Sequence, residues 1–202
     1  MGDAEWYASL PSFSASGAVL LTDAAGSVLL VKPWYRDYWS LPGGVAEAAE
    51  SPRQCAEREA AEEIGVAVTA TALLAVHWMP PAGPRRGIFA FVFDGGTLAD
   101  PGTVRLQAEE LDDFAFLPLD EAAARMEPAA AQRLTGAWQA RAEGRPAYLE
   151  YLGSETALGR GVESVCHEGS DVRRRVRIPL LTVVPPGEPS IEAIASNTAT
   201  MA

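Results

Sequence analysis

Three glutamates stand at positions i, i+3 and i+4: Glu59, Glu62 and Glu63. In an α-helix these spacings bring side chains onto one face, as neighbours about 5–6 Å apart. Convergent carboxylates repel one another, and a helix ordinarily dilutes them with lysines. Arg58, four residues before Glu62, offsets only part of the charge. Hard divalent cations with oxygen ligands relieve such crowding, and Mg2+ or Mn2+ is the usual choice in enzymes acting on phosphates. An acidic solvated helix face with an incidental Arg58–Glu62 pair is the competing reading. The double glycine Gly43-Gly44 just upstream weighs against it, because glycines let a ligand approach the backbone closely and a glycine carbonyl there could face the cation. Glu50 precedes the helix, where the N-terminal end of the helix dipole favours negative charge.

Definite elements must hold these groups. Ser51 is placed to cap the helix, Pro52 suits its first position, and Gly65 is a natural stop. Upstream, residues 15–22 and 27–32 read as strands joined by the turn Asp23-Ala24-Ala25-Gly26, a hairpin. An aromatic loop over 33–39 and Leu41-Pro42-Gly43-Gly44 lead into the helix. Downstream, 66–78 is strand-like with a break, 80–86 is a loop, and 87–93 is a strand that Asp94-Gly95-Gly96 should end. Residues 113–117 read as another strand; Pro118 starts a short helix, and Pro128 to Glu143 forms a longer one. Strands do not alternate regularly with helices, so the expected fold class is α+β, a mixed sheet sandwiched between helices, and not a doubly wound parallel sheet.

The domain is expected over residues 14–150. Residues 1–13 read as a leader that Trp6, Tyr7 and Leu10 could pack onto it. Residues 151–202 form an irregular, partly disordered extension. Its basic run Arg173-Arg174-Arg175-Val176-Arg177 is followed by Pro179, Pro185, Pro186 and Pro189, which argue against a central strand, although 176–184 could add an edge strand. The 202 residues carry a net charge of −11, which disfavours wrapping long DNA or RNA but admits a small anionic substrate neutralised by metal. Two cysteines make no disulfide framework, and neither a signal peptide nor a membrane span is visible, so a cytoplasmic setting is expected.

The stretch Gly44 to Val66 resembles the signature of the Nudix hydrolases: a glycine, five residues, Glu, seven residues, Arg-Glu, an apolar residue, any residue, Glu-Glu, any residue, Gly, apolar. Here it reads Gly44, Glu50, Arg58-Glu59, Ala60, Glu62-Glu63, Gly65 and Val66. Seven fixed identities would coincide by chance roughly once in 10⁸ starting positions. Ala60 is smaller than the usual bulky aliphatic, which implies looser packing beneath the helix. The resemblance covers about residues 14–145. It implies a Nudix-type α/β/α sandwich and hydrolysis of a diphosphate linkage in a nucleoside diphosphate joined to another group. Glu59, Glu62 and Glu63 would bind Mg2+ or Mn2+, with the carbonyl of Gly43 or Gly44 as a further ligand. Arg58 would orient a glutamate, and Glu50 would support the loop or reach the metal shell. The general base would be a box glutamate or a downstream acid among Glu109, Glu110, Asp112 and Asp113, with Glu110 the first choice. Homodimers built through strands are common in the family.

For substrate contacts the candidates are Trp34 and Tyr35, which could stack on a base, and Arg36, Arg85 and Arg86, which could pair with phosphates. Trp39 reads as packing, Cys55 as a small buried helix residue, and His77 as structural or at a substrate edge. The partner is a small nucleotide-type molecule. A ligand-binding regulatory module on the same fold is the alternative function. An isoprenoid diphosphate isomerase fits poorly, since Cys55 is badly placed for that chemistry.

Overall fold

The computed structural model describes residues 2–151 and the backbone of two short segments, Glu163–Ser164 and Val176–Arg177. The chain divides after Gly153 into two units. The remainder of the C-terminal extension, including the expected frayed end over 187–202, lies outside the described residues.

The first unit opens with helix α1 (Asp3–Ser9), followed by strands β1 (Ser14–Thr22), β2 (Val28–Pro33) and β3 (Gly43–Val45). Helix α2 (Pro52–Ile64) precedes β4 (Leu73–Met79), β5 (Ile88–Thr97) and β6 (Leu111–Leu117). Helices α3 (Leu119–Ala124) and α4 (Pro128–Glu143) and strand β7 (Ala147–Glu150) complete it. The sheet runs β6-β2-β1-β5-β4-β7, with β3 pairing β1 off this path. The pairs β1–β5 and β4–β7 are parallel and the rest antiparallel, so the sheet is mixed, as expected. In the second unit Glu163–Ser164 (β8) and Val176–Arg177 (β9) pair antiparallel in a sheet of their own, and the rest of the strand anticipated over 176–184 lies outside the described residues.

Alternation along the strands sets the two faces. Val19, Leu21, Leu29 and Val31 pack on one side with Ala56, Ala60 and Ile64 of α2. Leu20, Val28 and Leu30 pack on the other with Ala122 of α3 and Leu134, Ala137 and Ala140 of α4. Ala60 is fully buried, so its small side chain draws α2 onto the sheet. A bulkier residue there would overfill this contact at a cost of about 1–3 kcal/mol.

The sheet's most consequential irregularity is a fork. β5 lies along the whole of one edge of β1. The other edge is shared: β2 meets it only at Thr22–Val28, while β3 takes Ser16, Gly17 and Ala18. The segment Ser40–Val45 fills the opening between β1 and β2. Ser40 bridges Val31, and the Val19 N–H donates to the Pro42 carbonyl at 3.0 Å.

Several elements depart from the sequence reading. The strand over 66–78 shortens to Leu73–Met79. Asp94-Gly95-Gly96 does not end β5: the register jumps from Leu20–Asp94 to Leu21–Gly96, so Gly95 is an extra residue in a bulge and the strand continues to Thr97. Asp94 holds this bulge, accepting from the Gly96 N–H at 2.8 Å and pairing with Arg141 of α4 at 2.7 Å. The leader does not pack down: α1 buries nothing, and Trp6, Tyr7 and Leu10 are all exposed. Strands β3 and β7 were not expected.

Candidate active site

Helix α2 begins where expected. The Ser51 hydroxyl accepts from the Gln54 N–H at 3.3 Å, and the Gln54 side chain accepts from the Ser51 N–H at 3.0 Å, a reciprocal cap. Pro52 occupies the first turn and Gly65 closes the helix with φ 66°. Gly17 explains how β1 passes so close to this first turn: a Cβ there would overlap the Pro52 carbonyl. The helix therefore carries its acids beside β3.

Arg58 is the hub of the acidic face. Its Nε donates to Glu50 Oε1 at 2.8 Å and its Nη2 to Glu50 Oε2 at 3.1 Å, a two-point clamp. Its Nη1 donates to Glu59 Oε1 at 3.0 Å and to Glu62 Oε2 at 2.9 Å. The clamp holds the Glu50 carboxyl below the usual carboxylate range, helped by the Glu47 N–H. Glu50 thus anchors both the loop and the arginine. Glu62 is turned to Arg58 with its side chain 52% exposed, and it stands apart from the cleft lined by Glu59 and Glu63.

Glu63 is the most constrained acid. It is 7% exposed, and its Oε2 accepts the Gly43 N–H at 2.8 Å. Burial pushes its carboxyl up to about 7; the Gly43 N–H opposes this, while the charges of Glu59 and Glu110 add to it. Burial likewise raises Glu59, against the pull of Arg58. The third acid is Glu110, in the loop before β6. Its backbone is pinned by the Gln107 carbonyl at 3.1 Å and the Trp34 N–H at 3.2 Å. Gly44 completes the arrangement, because a Cβ at that position would overlap the Glu59 carboxylate.

These acids face a cleft of about 740 Å³. Glu59, Glu63, Glu110, Gly43, Gly44, Tyr35, Arg36 and Arg85 all line it. Arg36 stacks on Tyr35 at 5.1 Å, and its charge lowers Glu63. Two expected contacts fall elsewhere. Trp34 is exposed, and its indole N–H donates to the Glu109 carbonyl at 3.0 Å, so it shapes the Glu110 loop and does not line the cleft. Arg86 sits on the exposed loop outside the lining. The Gly44 carbonyl accepts from the Cys55 thiol at 3.3 Å. Cys55 is fully buried, as read.

The sequence reading missed several cleft residues, and one of them is a cation. Arg133 of α4 lines the cleft, half-buried, with Nη1 3.5 Å from His77 Nδ1. The signal was present: Arg133 lies four residues from Ala129 and from Ala137, on the buried stripe of α4, where a cation is out of place.

The donor set suits a hard divalent ion. It consists of carboxylate oxygens, and Glu59 and Glu63 are pushed toward their neutral forms by burial and mutual repulsion, a penalty that a cation relieves. Among the described residues no three acidic, histidine or cysteine side chains already surround one point, because Arg58 and the Gly43 N–H take up carboxylate oxygens.

A mixed sheet between helices, with a capped glutamate helix facing a cleft, defines the α+β architecture and the site together. The NUDIX domain model matches residues 12–136, and the chain belongs to this family of hydrolases. A MutT-like protein of Streptomyces ambofaciens is 34% identical over 128 residues, covering 63% of this chain and 77% of its own. The crystal structure of a MutT protein from Methanosarcina mazei Go1 superposes with a TM-score of 0.54 at 23% identity, covering 66% of this chain and 96% of that one. That of a UDP-X diphosphatase superposes with a TM-score of 0.56 at 23% identity, covering 74% of this chain and 76% of that one.

Proposed function

We propose that this protein hydrolyses the diphosphate linkage of a nucleoside diphosphate joined to a second group, with Mg2+ or Mn2+ held by Glu59, Glu63 and the Gly43 carbonyl, and by Glu62 once it turns from Arg58 toward the cleft. The observation that carries this reading is the meeting of Glu59, Glu63 and Glu110 in one cleft, with Glu63 buried and fixed by Gly43. Such a divalent ion would screen the diphosphate, polarise its P–O bonds and acidify water.

The chain's own residues do the rest. Arg58, clamped on Glu50, ties the loop to the glutamate face and so keeps the helix acids beside Gly43 and Gly44. Glu110, on a loop separate from α2, accepts the proton of the attacking water. The water oxygen bonds to phosphorus, the bridging P–O bond breaks, and the products are a nucleoside phosphate and the phosphate of the second group. Tyr35 offers an aromatic face for the base, and Arg36 a positive charge for the phosphates. The composition, with few cysteines, supports the cytoplasm as the setting.

A panel of nucleoside diphosphate sugars, ADP-ribose, dinucleoside polyphosphates and nucleoside triphosphates, incubated with each metal and followed by 31P NMR, tests this. Two phosphate-bearing products from at least one compound, formed only with metal, are expected. No turnover of any compound with either ion would overturn the reading.

A further inference from the structure

Two arginines besides Arg36 line the cleft, Arg85 and Arg133. Helices α2 and α4 cover opposite faces of the sheet, and Arg133 of α4 lines the same cleft as Glu59 and Glu63 of α2. Arg85, from the loop before β5, reaches the same place. The Nη1 of each arginine lies 3.9 Å from the same atom, Met79 Sδ. Two guanidiniums thus bracket one thioether. Among the described residues neither has a carboxylate at ion-pair distance. Glu127, at the start of α4, also lines the cleft and acts on Arg133 through space without pairing with it.

Arg133 is built into this position. His77 is fully buried on β4, with Nδ1 3.5 Å from Arg133 Nη1, and its Nε2 has no hydrogen-bond partner among the described residues. A neutral imidazole that accepts from Arg133 through Nδ1 must carry its proton on Nε2, where the described residues offer no acceptor. The protein tolerates that orphaned N–H, and the guanidinium is thereby aimed past Met79 into the cleft. Its remaining N–H groups form a planar fork suited to phosphate. Burial also depresses the Arg133 guanidinium to about 10, a penalty that an anion would relieve.

We propose that Arg133 and Arg85 form a phosphate-binding subsite in the cleft that the glutamates line, with His77 as the positioning residue for Arg133. This deepens the diphosphatase reading and rests on it for one consequence: favoured substrates carry a further phosphate beyond the pair held at the carboxylates. A neutral base or sugar in the same place would leave the half-buried Arg133 without a counter-anion, and so is disfavoured.

The test separates the subsite from the catalysis. Inorganic phosphate is titrated into the full-length protein in EDTA, followed by NMR shifts of the arginine side-chain N–H groups and of the Met79 methyl. Arg133→Met keeps the bulk of the side chain, Arg133→Lys keeps charge without the fork, and Arg85→Gln alters an exposed residue that folding does not need. Arg133→Met and Arg85→Gln are each expected to weaken phosphate about tenfold or more, and Arg133→Lys less. Glu63→Gln and Arg145→Gln should not weaken it. His77→Phe should weaken phosphate several-fold, and His77→Gln, which restores an acceptor, should recover most of that loss. Wild-type affinity in both Arg133→Met and Arg85→Gln overturns the subsite. If the wild-type protein binds phosphate here but turns over no diphosphate compound, the subsite stands and the hydrolase reading falls.

Discussion

His77 couples the stability of the domain to pH, and the coupling can be worked from its surroundings. The imidazole is completely enclosed, with a guanidinium 3.5 Å from one nitrogen and, among the described residues, no partner for the other. Burial first, and then the charge of Arg133, pull it from its ordinary 6.5 down to about 4. In the unfolded chain it titrates normally. Between these two values the unfolded state binds a proton that the folded state refuses, so stability rises with pH in this window. The contribution is complete above about 6.5 and is lost as pH falls toward 4. Each tenfold difference in proton affinity corresponds to about 1.4 kcal/mol, so the whole effect is about 3 kcal/mol. His77→Gln keeps an acceptor for Arg133 and does not titrate. Urea unfolding of both proteins at intervals from pH 7.5 to 4 isolates the term, because the other ionisable groups are common to both. The wild-type protein should lose about 3 kcal/mol relative to His77→Gln across that range. A difference that stays flat with pH would refute the assignment of a buried neutral histidine.

Two further outcomes follow from the glutamate helix. Gly44→Ala sets a methyl group against the Glu59 carboxylate and should displace it, lowering kcat about a hundredfold with little change in Tm; steady-state rates beside a thermal melt check this. Arg58→Lys retains the charge but cannot clamp Glu50 at two points while reaching Glu59 and Glu62, so kcat/KM should fall about tenfold and the melting temperature should drop by a few degrees. An Arg58→Lys protein indistinguishable from wild type would show that charge alone suffices.

Local chemistry made much of this molecule legible. The cap at Ser51 and the left-handed stop at Gly65 are short-range signals, and α2 spans the residues between them. The same holds for α4, which runs from Pro128 to Glu143. The short unbroken apolar runs Val19-Leu20-Leu21 and Val28-Leu29-Leu30-Val31, separated by a turn, marked β1 and β2 as strands buried on both faces. What stayed hidden depends on partners distant in the chain. β3 is three residues long and glycine-rich, and it is a strand only because β1 and β2 diverge around it. Asp94-Gly95-Gly96 has the composition of a strand end, yet Arg141 of α4 and the adjacent β1 hold it as a bulge. The three glutamates share a helix face, but spacing could not show that Arg58 draws Glu62 outward while Gly43 draws Glu63 inward. Arg133 was readable as a cation on an apolar stripe, and only the tertiary fold shows that this stripe borders the cleft.

The central claim is that carboxylates of α2 drive diphosphate hydrolysis, and replacing Glu63 by Gln tests it most directly. The amide conserves the shape of the side chain and retains an acceptor for the Gly43 N–H, while removing the charge at the most buried acid of the cleft. Single-turnover hydrolysis with saturating Mg2+, on the compound most active with wild type, should slow by a factor on the order of 10³ while the thermal midpoint stays within a few degrees. A folded Glu63→Gln protein that turns over at the wild-type rate would contradict the account.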